Sequence, residues 1–209
     1  MTYTNNLYEQ MICDFVKNVI GKKTSVIVTG ESVPFIIMAC HNNPEIFNKI
    51  ICINPQSLYL QNQIPSKETN LLKLLLEIPV LGTFTYHILV NMHTLEKTFK
   101  EEYFCHSGEV KDKYLYNYLE AAHLGNYNSK CAHASYLGKY MNMNIVHELK
   151  EINNSILMIG GSEEKDIKTT IENYKYYNPA IEEVYIPETK HLPQLEAPDT
   201  VLEQINIFL

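Results

Sequence analysis

No apolar run in this sequence reaches the roughly 18 residues that a membrane-spanning helix needs, so no span is expected. There is no block of Lys and Arg either. With 17 Lys and Arg against 24 Asp and Glu, the formal net charge is −7. That balance argues against nucleic acid or an anionic membrane as the main partner. Residues 1–6 are polar, with no basic stretch followed by an apolar one, so no secretory signal is expected. No C-x-x-C pair occurs. The five cysteines, Cys13, Cys40, Cys52, Cys105 and Cys131, are odd in number. Cys40 and Cys52 lie inside apolar runs, where a free thiol behaves as a small hydrophobe. The pattern reads as reduced thiols in a cytoplasmic protein. Histidine spacings such as His87 to His93 and His123 to His133 match no metal motif. No metal and no cofactor is therefore expected. Internal repeats and low-complexity linkers are absent too.

What is present reads as an α/β chain. Its 209 residues, 45% apolar, suffice for one domain with a core, or one domain with a cap. Short continuous apolar runs at 25–28, 49–53, 156–159 and 182–186 read as strands. Helical patterns alternate with them. Residues 6–20 carry Leu7, Met11, Ile12, Phe15, Val16 and Val19 on one face, with Thr4 or Asn5 as cap and Gly21 as stop. Residues 33–42 are apolar nearly all round, and Pro34 fits the first turn, where a missing N–H costs little. Helices near 166–176 and from Ala197-Pro198-Asp199 to Leu209 complete the alternation. Such strands imply a parallel sheet with helices on both faces. The middle differs: it lacks clear strands and holds most of the tyrosines. Helices are expected around Leu71–Leu76, stopped by Pro79, and near 93–104, 110–124 and 128–150. The chain thus divides into a core at 1–56, a helical cap at 57–150 and a core at 151–209.

Ser32 is the first candidate for chemistry. It sits in Thr29-Gly30-Glu31-Ser32-Val33-Pro34, between a strand and a helix. A tight strand-to-helix turn exposes the hydroxyl at the carboxyl edge of the sheet, and the helix aims its N–H groups at the same point. The Val33 N–H is a candidate oxyanion donor. His191 lies in the loop between the last strand and the last helix, where catalytic groups gather in parallel sheets. An acid is needed to orient its imidazole. The strand at 156–159 runs into Gly160-Gly161-Ser162-Glu163-Glu164-Lys165-Asp166, which offers three carboxylates.

Together these features resemble the α/β-hydrolase superfamily, and within it the cap-bearing, esterase-like members. The resemblance covers nearly the whole chain. Its most specific part is Tyr185 to Leu209, with His191-Leu192-Pro193-Gln194-Leu195-Glu196-Ala197-Pro198 before the terminal helix. It implies Ser32 as nucleophile, His191 as general base, and Glu164 by spacing or Asp166 by residue type as the acid. It also implies a partial parallel sheet with a helical cap, and a small acyl substrate such as a carboxylic ester. Two departures stand out. Pro34 replaces the last Gly of the family's G-x-S-x-G elbow. The strands that precede the nucleophile strand in the family have no counterpart here. That strand is expected to lie at an edge, open to self-association, and half of the oxyanion hole is expected to be lacking. A late start of the reading frame, an inactive remnant, and a missing half supplied by another chain are alternative explanations. The function expected is a serine hydrolase; the alternative is a non-catalytic binding or interaction protein.

Overall fold

The structure, a computed structural model, describes residues 2–125 and 128–209. In chain order its elements are α1 (Asn5–Phe15), β1 (Thr24–Thr29), α2 (Val33–Asn42), β2 (Phe47–Ile53), α3 (Leu58–Gln61), α4 (Lys67–Glu77), α5 (Pro79–Leu89), α6 (Met92–Thr98), α7 (Asp112–His123), α8 (Ser129–Leu137), α9 (Val146–Glu151), β3 (Ile156–Gly161), α10 (Ile167–Tyr177), β4 (Glu182–Ile186), α11 (Pro193–Glu196) and α12 (Pro198–Phe208). They form two units. One comprises residues 5–62 and 143–209, and the other residues 63–142 with the N-terminal residues up to Thr4.

The first unit is built on a four-stranded sheet in the order β1-β2-β3-β4, every pair parallel. The strands are the apolar runs read from the sequence; β1, β2 and β3 are each longer by two residues, and β4 has the expected bounds. Burial follows position. β3 is buried at every residue, as a strand covered on both faces must be. β1 and β4 are the two edges, and Ile27 on β1 is 52% exposed. Alternation along the strands sends Ile51, Ile53, Leu157, Ile159 and Ile186 to one face, where Val201 and Ile205 of α12 close the core. Each fully buried Ile contributes about 2 kcal/mol relative to exposure.

On the other helices, α2 buries Val33, Phe35, Ile36, Ile37, Ala39 and Cys40, which is why its sequence is apolar nearly all round. Burial pushes the Cys40 thiol up, and the Cys52 thiol up to about 12. Neither thiol is suited to chemistry. α1 stacks Tyr8 on Phe35 of α2, ring centroids 5.0 Å apart. α10 buries Tyr174, whose hydroxyl donates to the Gln56 carbonyl at 3.0 Å and accepts from Gln61 Nε2 at 3.0 Å.

The second unit is helical. Ser66 and Thr69 cap α4 reciprocally. Pro79 stops α4 as expected, and it also opens α5, which the sequence reading did not include. The two helices are bent by 101°. At Gly82 a Cβ would stand 1.8 Å from the Leu76 carbonyl oxygen, so this bend requires glycine. Lys130 is buried and donates to the Ile78 carbonyl at 2.8 Å. The helical stretch expected near 128–150 consists of α8 in this unit and α9 in the first. Gly138 ends α8, Lys139 takes a left-handed φ of 64°, and Asn144 Oδ1 accepts from the Val146 N–H to start α9. Leu71, Leu74, Val80, Leu81 and Phe84 of α4 and α5 are exposed rather than packed. An open groove of about 530 Å³ in this unit is lined by His87, Met92, Tyr116, Leu119 and His123 among others. Among the described residues no single helix is long and apolar enough to cross a membrane.

Candidate active site

In a parallel sheet the carboxyl ends of all strands share one edge. Ser32 follows β1, Asn54 follows β2, Glu164 follows β3 and His191 follows β4, so all four lie along it.

The acid and the imidazole meet there. His191 Nδ1 stands 3.2 Å from Glu164 Oε1, with the two side chains 36% and 22% exposed. A carboxylate only accepts, so the contact assigns the proton to Nδ1 and leaves Nε2 as the basic nitrogen. The backbone explains why they meet. The Glu164 N–H donates to the Gly161 carbonyl at 3.1 Å, turning the chain just after β3. The two loops are then zipped together. The Ser162 N–H donates to the Ile186 carbonyl and the Glu163 N–H to the Thr189 carbonyl, both at 2.9 Å. At Gly161 a Cβ would fall 2.0 Å from the Lys190 carbonyl oxygen. Only glycine lets the histidine loop pass so near.

Asp166 does not join them. It is exposed, has a left-handed φ of 57°, and starts α10 without a side-chain cap. Of the two acids left open by the sequence, Glu164 is the one against His191.

Asn54 ties this corner together, a role that the sequence reading did not assign. It is buried, with φ 43°. Its Oδ1 accepts from the Gly161 N–H at 2.9 Å. Its Nδ2 donates to the carbonyls of Lys190 and His191, both at 2.7 Å. One side chain therefore holds the acid turn and the histidine loop at once. The available signal was the Asn-Pro that ends the strand, because Asn tolerates the left-handed region and bonds to neighbouring backbone.

The serine turn is made differently. Gly30 carries the positive φ, 52°, whereas Ser32 has φ −81° and ψ −11°, ordinary right-handed values. Gly30, Glu31 and Ser32 form a turn of 3₁₀ helix. Ser32 is exposed and makes no side-chain cap to α2. The expected oxyanion donor is engaged: the Val33 N–H donates to the Gly30 carbonyl. Pro34 gives the physical cause. An α-helix would offer the N–H of residue 34 to the Gly30 carbonyl, and proline has none. That carbonyl takes the Val33 N–H instead. Gln56 Nε2 donates to Glu31 Oε1 at 3.2 Å, linking this turn to the segment after β2.

No family model and no curated protein matches the sequence. Solved structures do match. A thermophilic esterase from Thermogutta terrifontis aligns at TM-score 0.68 and 14% identity, over 100% of this chain and 72% of its own. A bromoperoxidase from Bacillus anthracis aligns at TM-score 0.70 and 9% identity, over 100% of this chain and 75% of its own. An alpha/beta hydrolase enzyme from a Medee basin deep-sea metagenome library aligns at TM-score 0.65 and 10% identity, over 98% of this chain and 71% of its own. The likeness covers nearly the whole chain, and the chain has the α/β-hydrolase fold.

Proposed function

We propose that the chain is a serine hydrolase acting on a carboxylic ester or a related small acyl substrate. The observation that carries the reading is the 3.2 Å contact of His191 Nδ1 with Glu164 Oε1, on the same sheet edge as Ser32. His191 Nε2 takes the Ser32 proton as Oγ attacks the carbonyl carbon. The imidazolium then gives that proton to the departing alcohol, and water releases the acid by the same route in reverse. Glu164 keeps the imidazole in the required tautomer. The Val33 N–H serves the oxyanion once it leaves the Gly30 carbonyl. The esterases among the structural neighbours support the substrate class.

A fluorophosphonate probe tests the assignment. Wild type should label and Ser32→Ala should not. Labelling that survives in the variant would remove Ser32 from the mechanism.

The engaged Val33 N–H and the relaxed Ser32 backbone favour a second reading, a non-catalytic interaction protein on the same fold. It calls for no labelling in the wild type and for self-association through the β1 edge. Sedimentation of the labelled chain separates the two, because a monomer modified at Ser32 fits only the hydrolase.

A further inference from the structure

Ser32 stands at one end of α2 and His41 near the other. His41 Nε2 lies 3.0 Å from Glu151 Oε2, and His147 Nε2 lies 3.5 Å from the same oxygen. His147 and Glu151 are four residues apart on α9, which puts them on one face of that helix, towards α2. One ligand atom from each residue lies within 4.8 Å of the other two. We propose that His41, His147 and Glu151 bind a divalent transition-metal ion of the zinc type.

The spacing fits such an ion. Tetrahedral zinc with ligands at about 2.0–2.2 Å holds them about 3.3–3.6 Å apart. Both distances to Glu151 are already close to that. The third ligand is oriented from behind. His41 Nδ1 stands 3.2 Å from Asn42 Oδ1, and Asn42 Nδ2 donates to Glu9 Oε1 at 2.6 Å, which fixes the amide. Asn42 thus takes the Nδ1 proton and turns Nε2 towards His147 and Glu151. A carbonyl on the second ring nitrogen is the usual support of a metal-binding histidine.

Charge also favours a cation. The carboxyl end of α2 presents the negative end of the helix dipole. Glu148 adds negative charge beside His41, and among the described residues its Oε2 is buried without a hydrogen-bond partner. Two imidazoles with one carboxylate suit zinc and its neighbours, whereas magnesium and calcium prefer oxygen alone. Three protein ligands leave a fourth position for water. The bound ion would tie α9 to α2, at the end opposite Ser32.

The test is calorimetric titration of Zn²⁺ into the full, untagged chain. One saturable site is expected, weakened at least about tenfold by His147→Ala and by Glu151→Gln, and with no binding of Mg²⁺. His147 is 70% exposed, so its removal leaves the fold intact. The unfolding midpoint should rise with Zn²⁺ in the wild type and stay fixed in His147→Ala. Equal affinity in wild type and both variants would put the ion elsewhere, for example on a cysteine, and overturn the proposal. Absence of saturable binding would reduce the cluster to surface ion pairs and overturn it too.

Discussion

The acid–histidine corner after β3 and β4 and the serine turn after β1 share one sheet edge, but they are held in different ways. At the corner, the buried Asn54 side chain donates two hydrogen bonds and accepts one, and with two backbone bonds between the loops these fix both residues. At the turn, the Ser32 hydroxyl is exposed and caps nothing, and the backbone bond that forms there engages the very N–H an oxyanion would need. β1 and β4 are both edge strands with one neighbour each, so strand position does not separate the two regions. The acid–histidine corner is set in advance by the bonds between its loops and by the Asn54 clamp, and the serine turn is set by local helix chemistry, here by Pro34.

Substitutions at four positions sharpen that contrast. The largest effect is expected from Pro34→Gly. It restores an N–H for the Gly30 carbonyl and releases that of Val33. Probe labelling of Ser32 should speed up by about a hundredfold, the typical value of one oxyanion donor. An unchanged rate would mean that the Val33 N–H is not the limiting feature. Next is Gly161→Ala, which sets a methyl group 2.0 Å from the Lys190 carbonyl oxygen. Urea unfolding should show a loss of about 3 kcal/mol from overpacking. Asn54→Ala leaves the Gly161 N–H and two carbonyls without their partner, at about 2 kcal/mol. Asn54→Gly should recover only the part due to φ. The smallest effect is expected from Gly30→Ala. Its φ of 52° disfavours a side chain, but the new Cβ would meet only the Asn54 carbonyl oxygen, at 3.9 Å. About 1 kcal/mol is expected in the same assay. A Gly30→Ala loss as large as that of Gly161→Ala would erase the distinction between the two regions.

Much of the framework was legible because burial imposes periodicity. Ile50-Ile51-Cys52-Ile53 and Ile156-Leu157-Met158-Ile159 are continuous because both faces of those strands are covered. The helix at 33–42 was readable for the same reason. α5 was not legible, because Val80, Leu81, Phe84 and Ile88 are apolar yet exposed, so its pattern carries no polar face. The break between α8 and α9 was hidden as well. It depends on one left-handed residue, Lys139, whose type does not announce that conformation. In the candidate site, Ser32 and His191 stood out by their settings after a strand, and the family resemblance put Glu164 first by spacing and Asp166 second by residue type. Both acids lie in one charged turn, so which of them faces His191 is read from the loop geometry.

The sequence by itself determined the alternation of strands and helices, the parallel sheet, and the placing of Ser32, the acidic turn and His191 on one edge. These follow from local patterns, because the pleat and the helical turn repeat every few residues. Only the tertiary structure decided that Glu164 faces His191 and that Asn54 clamps their loops. It alone brought His41 to Glu151, 110 residues away. Such meetings depend on how loops cross and which backbone groups they satisfy, and no periodicity encodes that.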